Sequence, residues 1–320
     1  MKNCREKESP GFTESLAEDA GPGLTEAAAL SGRLDRYAKA HTRALDMADF
    51  IAGQGLSQYK NLPDLLQRCG SYLLFRDYYT IGKVRLSAAC FCKKHLLCPL
   101  CAIRRGAKLL KSYSEKLQFL IAENPALKAY MVTLTVKNGP DLAERYEHLN
   151  CSLKKMTQAR RNALKNKGPW VEMAKASSAV WSFEFKRGKG GHGWHPHTHG
   201  VWLCEEAPDA DKLAEEWKRI TGDSFIVDVR PFSTDQDAIG GFLEVFKYAV
   251  KFSDLPLADN FHGYEILRGR RMVASLGGFR GIQVPEDLTD EIPDDELPFV
   301  ELLFKYRPGA GYSYAGQVAM

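Results

Sequence analysis

The order of the elements predicted after residue 125 is the feature that most constrains the fold. Apolar periodicity and length indicate strands at 130–136, 178–186, 196–204 and 225–230, and helices at 141–165, 209–221 and 237–252. The order is therefore β-α-β-β-α-β followed by one more helix. It predicts an α+β protein with a ferredoxin-like core, in which helices pack against one face of an antiparallel sheet and the other face stays available.

The chain divides by composition into four predicted regions. Residues 1–30 are polar and are predicted to be a disordered extension. Residues 31–125 form a helical and Cys-rich region, residues 126–255 the core, and residues 256–320 a C-terminal region with an acidic linker. This division places the sheet-forming core after a smaller module.

Composition restricts the class of protein. A hydrophobic content of 44% is enough for a core, and the longest apolar runs are only strand-sized, which predicts no membrane partner. The polar start of the chain has no apolar run behind it, which favours a cytoplasmic location. In that reducing compartment the eight cysteines are expected to be thiols or metal ligands.

The net charge of +4 averages over unequal segments. Residues 83–116 carry nine Lys/Arg against one acid, and residues 154–167 carry six Lys/Arg and no acid. Such blocks are typical of polyanion-binding surfaces, whereas solvated helix faces mix both signs. The predicted DNA contacts are Lys93, Lys94, Arg104, Arg105, Lys154, Lys155, Arg160 and Arg161. The acidic stretch 286–296 is expected to be a solvated linker.

The sequence W-H-P-H-T-H-G-V-W places His197 and His199 two residues apart in a predicted strand. They therefore point to one side of the sheet, with Cα atoms about 6 to 7 Å apart. Pairing of the neighbouring strand in a hairpin brings Glu184 beside them. Two imidazoles and a carboxylate suit a catalytic divalent metal, although a pair of solvent-facing histidines is the alternative.

The last predicted helix carries E-V-F-K-Y-A-V-K, in which Glu244, Tyr248 and Lys251 share one face. A phenol titrates near pH 10 and needs a nearby cation to act as a nucleophile. Tyr248 is therefore a candidate nucleophile. The alternative is a tyrosine packed where the helix meets the sheet.

Cysteine spacing predicts a structural zinc site. Cys98-x-x-Cys101 has the spacing of a zinc knuckle, and a C-x-C pair and a further cysteine precede it. The candidate ligands are Cys69, Cys90, Cys92, Cys98 and Cys101, with His95 as a substitute. Spacing alone leaves Cys90 and Cys92 equally eligible, and buried free thiols are the alternative. Cys4, Cys151 and Cys204 are isolated and are expected to be inert.

Together these segments resemble the rolling-circle replication initiators of small bacterial plasmids, in the HUH endonuclease branch with one catalytic tyrosine. Four motifs in the family's order carry the resemblance over residues 69–254: A-C-F-C-K-K-H-L-L-C-P-L-C-A-I-R-R, M-V-T-L-T-V, H-P-H-T-H and E-V-F-K-Y-A-V-K. One departure is Thr198, where the family usually has a bulky apolar residue.

The resemblance implies a function for each motif. His197, His199 and Glu184 would bind Mg²⁺ or Mn²⁺. Tyr248 would attack one strand at the plasmid's double-strand origin, leaving a 5′-phosphotyrosine and a 3′-hydroxyl primer. Glu244 would activate water to end replication, and Lys251 would hold the phosphate. The implied zinc ligands are Cys69, Cys92, Cys98 and Cys101.

The implied partners are origin DNA, single-stranded DNA, a host helicase and a host DNA polymerase, and the resemblance leaves homodimerisation open. Three alternative functions remain. The first is a related HUH transposase or relaxase. The second is a histidine-triad nucleotide hydrolase using His195, His197 and His199, and the third is a non-catalytic zinc-dependent DNA-binding protein.

Overall fold

The computed structural model describes residues 26–188, 193–232, 235–293 and 297–318. In chain order the helices and strands are α1 (Glu26–Gly53), α2 (Leu62–Arg68), β1 (Tyr72–Tyr78), β2 (Lys83–Ala89), α3 (Pro99–Glu123), β3 (Lys128–Thr135), α4 (Leu142–Leu164), β4 (Ala176–Arg187), β5 (Trp194–Cys204), α5 (Ala210–Thr221), β6 (Val227–Pro231), α6 (Asp235–Phe246), α7 (Tyr248–Ser253), α8 (Leu257–Leu267), β7 (Val273–Leu276), β8 (Val300–Arg307) and β9 (Gly311–Val318).

The described residues form two compact units, and each unit is built from separated segments. Unit 1 contains the described chain up to Ala107, Ala249–Phe261 and the chain from Pro285 onward. Unit 2 contains Lys108–Tyr248 and His262–Val284. Most of the predicted disordered extension lies outside the described residues, and α1 already begins at Glu26.

Unit 1 is built on a four-stranded antiparallel sheet in the order β2-β1-β8-β9. The N-terminal and C-terminal parts of the chain therefore share one sheet. Helix α1 buries Tyr37, Ala40, Ala44, Met47 and Ile51, which recur every three or four residues. That spacing gives an apolar stripe along one side of the helix.

The acidic segment after Pro285 is not a solvated linker throughout. Asp290 pairs with Arg104 at 2.5 Å and with Arg33 at 2.8 Å, and Leu288 is buried. Burial alone raises the pKa of the Asp290 carboxyl, but Arg104 and Arg33 outweigh burial and hold this pKa well below its ordinary value. This part of the linker prediction is wrong, because composition does not show that buried guanidinium groups need a counter-charge.

Arg104 corrects a second prediction. Its side chain is only 4% exposed, and it donates hydrogen bonds to the Leu288 carbonyl and the Tyr37 hydroxyl. Its charge is therefore directed into unit 1 and not toward DNA.

Unit 2 contains β3-α4-β4-β5-α5-β6-α6 in the predicted order. The strands form an antiparallel sheet in the order β6-β3-β5-β4, and β7 adds a fifth strand beside β4. The first four strands follow the ferredoxin-like arrangement, in which the second helical crossover returns the chain to the edge beside the first strand. The mixed helices and antiparallel sheets confirm the predicted α+β class.

Helices cover both faces of this sheet. On one face, Tyr146 of α4 packs against Phe183 and Phe185, and Trp217 of α5 donates to the Thr135 carbonyl. On the other face, residues of α3 and α6, including Tyr113, Phe242 and Phe246, form a core with sheet residues such as Val180 and Val201. The expectation that one face stays available is wrong at this end, because the apolar side of α6 needs a surface on which to be buried.

The predicted single helix at 237–252 is two helices. Helix α6 ends at Phe246, Lys247 is a turn residue, and α7 begins at Tyr248. Glu244 and Tyr248 consequently lie on different helices. Across the described residues, none of the helices combines the length and apolarity needed to span a membrane.

Candidate metal centre and catalytic residues

Strand register builds the first site. Glu184 of β4 lies opposite His197 of β5, and His199 lies opposite Thr133 of β3. Alternation along each strand turns these four side chains to the same face of the sheet. The hairpin deduced from the sequence therefore brings Glu184 together with both histidines, as the metal-site hypothesis requires.

The two histidines point a nitrogen at the same carboxylate. His197 Nε2 lies 3.3 Å from Glu184 Oε1, and His199 Nε2 lies 3.5 Å from Glu184 Oε2. Each residue offers one ligand atom, and these three atoms lie within 4.8 Å of one another. Glu184 is 2% exposed, so its negative charge requires nearby positive charge. The donor set and its burial fit a divalent cation.

Thr133 fixes the orientation of one imidazole. Its Oγ1 lies 3.1 Å from His199 Nδ1, which leaves Nε2 directed toward Glu184. Such an outer hydrogen bond is typical of metal-binding histidines. Sequence reasoning missed Thr133 although it lies in the M-V-T-L-T-V motif. The sequence shows only that Thr133 lies in a predicted strand. Its proximity to His199 follows from the register between β3 and β5, which the sequence does not give.

Lys186 is a second residue that sequence reasoning missed. It follows Glu184 by two positions on β4, and its Nζ lies 2.9 Å from Glu184 Oε1. The side chain is half exposed and the carboxylate is buried. Lys186 therefore supplies positive charge to this site from its solvent side.

Of the predicted catalytic residues, Glu244 contacts this site directly. Glu244 Oε1 lies 3.7 Å from His199 Nε2, and its other carboxylate oxygen lies 3.9 Å from Lys247 Nζ. The structure therefore brings Glu244 to the candidate metal centre. Tyr248 begins α7 and is 7% exposed. Lys251 belongs to unit 1, so the fold of unit 2 alone does not bring it to the histidines.

The second site is a cluster of four cysteines in unit 1. The ligand atoms of Cys69, Cys92, Cys98 and Cys101 all lie within 4.8 Å of one another. Sulfur atoms 3.4 Å apart in Cys69 and Cys98, and 3.6 Å apart in Cys92 and Cys101, are too distant for disulfides. A tetrahedral zinc with bonds of about 2.3 Å spaces its sulfurs by about 3.8 Å.

The electrostatics of this cluster also fit a cation. Hydrogen bonds from Cys101 and the other thiols hold the pKa of Cys92 well below its ordinary value, while the same contacts and burial raise the pKa of Cys98. The contacts within the cluster therefore stabilise a negative charge on the Cys92 sulfur. Cys90 is not a member of the cluster, and burial raises the pKa of its thiol.

The predicted DNA contacts differ in exposure. Lys93, Lys154, Lys155 and Arg161 are exposed, whereas Lys94 is half buried. Arg105 is also half buried and donates to the Pro285 carbonyl at 2.9 Å. Arg160 donates to the Ala176 carbonyl at 2.7 Å, which commits part of its guanidinium to the fold. The exposed side chains are the ones available to a polyanion.

Comparison with protein families identifies the class. The model of the replication protein family Rep_1 matches residues 83–301, which is more than half of the chain. The matched residues include Glu184, His197 and His199 of the candidate metal centre and the segment around Tyr248. The chain belongs to this family of replication proteins, and its recognition as a replication initiator (Rep) protein is confirmed.

Three relatives carry the description "Protein rep". The chain is 28% identical over 224 residues to the protein of Streptococcus pneumoniae serotype 2 (strain D39 / NCTC 7466), which covers 65% of each chain. It is 25% identical to a Staphylococcus aureus protein over 61% of this chain and 84% of that one. It is 27% identical to a Bacillus sp protein over 71% and 80%, respectively. The match thus spans just under two thirds of the pneumococcal protein. No solved structure matches the chain significantly.

Proposed function

We propose that this protein is a cytoplasmic plasmid rolling-circle replication initiator that nicks one strand of the double-strand origin. The observation that carries the proposal is the convergence of Glu184, His197 and His199 on one sheet face, with Glu244 3.7 Å from His199. Membership of a replication protein family supports the same proposed function.

Glu184, His197 and His199 would hold Mg²⁺ or Mn²⁺. Bound there, the ion supplies positive charge that polarises the scissile phosphate. The chain's own residues prepare this site. Thr133 keeps His199 Nε2 directed inward, and burial of Glu184 keeps water from competing for the carboxylate.

Tyr248 is the proposed nucleophile. Its hydroxyl oxygen forms a bond to phosphorus while the bond from phosphorus to the 3′ oxygen breaks. The phenolic proton passes through solvent to the departing 3′ oxygen, which gives a 3′-hydroxyl and a 5′-phosphotyrosine. One phosphoester replaces another, so the bond remains available for later strand transfer.

Glu244 is the proposed general base of termination. Its side chain is 34% exposed and its carboxylate lies 3.7 Å from His199 Nε2, so it contacts both solvent and the candidate metal centre. This position suits a carboxylate that takes a proton from water. Water then attacks the phosphorus, the bond from phosphorus to the tyrosine oxygen or to the DNA 3′ oxygen breaks, and the departing oxygen takes up the proton that Glu244 removed from water. Lys251 would hold the phosphate oxygens during both steps.

The four cysteines Cys69, Cys92, Cys98 and Cys101 would hold a structural Zn²⁺, since four thiolates leave no open position for substrate. The proposed duplex DNA contacts in this region are Lys93, Lys94 and Arg105. The proposed partners are single-stranded DNA, the host helicase and the host DNA polymerase. Homodimerisation is a further proposal.

The test is incubation of the full chain with the supercoiled parent plasmid and Mn²⁺, followed by mapping of the cut and of the residue attached to DNA. We expect a single nick and an adduct on Tyr248. Tyr248→Phe should abolish the adduct, and Tyr130→Phe, which alters an equally buried tyrosine of β3, should retain it. An adduct that survives Tyr248→Phe would exclude the tyrosine assignment. Binding without any nick would favour the non-catalytic zinc protein.

A further inference from the structure

Trp170 is an exposed aromatic residue between two buried anchors. Its side chain is 60% exposed, whereas Ala163 before it and Val171 after it are each 4% exposed. Val171 and Ala163 pack with Ala174 in a small apolar cluster. The chain is thus anchored on both sides of an indole ring that stays in solvent, where its flat face is open to stacking with a partner.

The turn that leads to Trp170 is fixed by hydrogen bonds. The amide of Lys167 donates to the Asn162 carbonyl at 2.8 Å, and the amide of Asn166 donates to the Ala163 carbonyl at 3.0 Å. Asn166 adopts a φ of 53°, a left-handed conformation that asparagine tolerates better than most residues. The backbone turn that precedes Trp170 is therefore ordered by its own hydrogen bonds.

A basic stripe on α4 leads to this turn. Lys154 and Arg161 lie on one side of α4, seven residues apart, and Lys165 follows four residues later as the residue that caps the end of the helix. All three are exposed. They span about 16 Å along the helix axis. Residues 154–171 contain no Asp or Glu, so no carboxylate of this segment offsets the positive charge of the stripe.

This surface is separate from the candidate metal centre. Helix α4 packs on the sheet face opposite to the histidines, because Tyr146 contacts Phe183 and Phe185, which alternate with Glu184. Helix α4 ends near Ala176, which accepts a hydrogen bond from Arg160. Ala176 precedes Glu184 by eight residues, or about 26 Å of extended strand.

We propose that Trp170 and the stripe Lys154, Arg161 and Lys165 form a second, non-catalytic binding surface for an unpaired DNA strand. An unpaired strand offers both charges for the stripe and a free base face for the indole, whereas bases stacked in a duplex offer no face. This inference rests on the proposed function for the identity of the nucleic acid. It lets one protein hold a second stretch of strand away from the nick.

The test measures binding of the full chain to fluorescently labelled oligothymidine, which lacks origin sequence, with EDTA kept out to preserve the cysteine site. Trp170→Ala should weaken binding by about 5-fold to 100-fold. Phe119→Ala, which removes a 50% exposed aromatic elsewhere in unit 2, should leave binding unchanged. The logarithm of the binding constant should fall linearly with the logarithm of the salt concentration. Replacing Lys154, Arg161 and Lys165 with Gln should reduce the magnitude of that slope by about 2.

Two results would overturn the inference. In the first, Trp170→Ala binds oligothymidine as tightly as the unaltered protein does. In the second, Trp170→Ala loses affinity for a DNA duplex of the same length by the same factor as for oligothymidine. Adduct formation on a saturating nick-site oligonucleotide separates this inference from the proposed function. Trp170→Ala should keep the adduct, and absence of the adduct in the unaltered protein would refute only the nicking proposal.

Discussion

At the scale of single residues, Thr133 shows how a neutral side chain prepares a charged site. Its hydroxyl holds His199 Nδ1, so the ring presents Nε2 to Glu184. A histidine without such a partner loses orientation as well as basicity. Thr133 thereby connects β3 to the chemistry of β4 and β5, although it is not itself a candidate ligand.

Replacing Thr133 with Val should weaken Mn²⁺ binding by about 10-fold to 100-fold, because the outer hydrogen bond to His199 is lost while the shape of the side chain is kept. Isothermal titration of Mn²⁺ into the protein measures the effect. Thr133→Ser keeps the hydroxyl and should bind Mn²⁺ nearly as the unaltered protein does. Equal affinity in the Val and unaltered proteins would show that the bond does not orient the ligand.

The sequence predicts some residues of this site and not others for a physical reason. His197, His199 and Glu184 follow from strand alternation and a short hairpin, both of which are local. Thr133 depends on the register between β3 and β5, which are separated by an intervening helix and strand. Arg104 and Arg105 are adjacent residues of the same type, so the sequence does not distinguish them. In the folded chain Arg104 is buried against Asp290. Charge patterns alone do not show burial.

At the scale of elements, the cysteine cluster joins the start of α3 to the end of α2. Cys69 follows α2, Cys98 immediately precedes α3, Cys101 lies in the first turn of α3, and Cys92 lies between β2 and α3. A metal held by all four would join the two ends of the segment that contains β1 and β2. The zinc contribution to folding should therefore fall on this part of unit 1.

Replacing Cys98 with Ser should remove bound zinc and lower the stability of unit 1, because one of four thiolates is lost. Cys90→Ser is the matched control, and it should retain one zinc per chain. Zinc released by a thiol-reactive mercurial and measured with a colorimetric chelator gives the stoichiometry. Zinc loss in Cys90→Ser with retention in Cys92→Ser would reverse the assignment of these two residues.

Helix α6 illustrates where prediction of elements fails. The sequence from Asp237 to Phe252 contains no proline, and its glycines lie well before the break, so local propensity favours one continuous helix. The structure nevertheless ends α6 at Phe246, where Phe242 and Phe246 are buried in the sheet core. The burial of Phe242 and Phe246 is a tertiary contact, and a single sequence carries no local signal for a helix end at such a position.

At the scale of the whole molecule, distant segments complete one another through a few charges. Asp290 lies near the C-terminal end of the chain, Arg33 lies on α1, and Arg104 lies on α3. Three parts of the chain thus meet at one carboxylate. The same carboxylate also accepts a hydrogen bond from the Leu86 amide at 2.7 Å.

Asp290→Asn should lower the free energy of unfolding at pH 7 by about 3–5 kcal/mol, because it leaves buried guanidinium charge without its partner. The pKa of Asp290 is depressed in the folded state, so its contribution is complete above the unfolded carboxyl pKa near 4 and declines as pH falls below that value. Urea unfolding of both proteins from pH 7 to pH 3 measures this difference.

The control for this series is Glu286→Gln, which alters an exposed carboxylate in the same segment and should change stability by less than about 0.5 kcal/mol. The difference in free energy of unfolding between the unaltered protein and Asp290→Asn should become smaller as the pH falls toward 3. A gap that stays constant down to pH 3 would mean that the ion pairs do not determine the stability of this segment.

The shared sheet of unit 1 has a practical consequence for truncated forms of this protein. A fragment that stops ahead of Pro285 would lose two of the four strands on which β1 and β2 depend, together with the counter-charge of two arginines. Fragments shortened from the C-terminus should therefore aggregate or misfold even when every candidate catalytic side chain is retained.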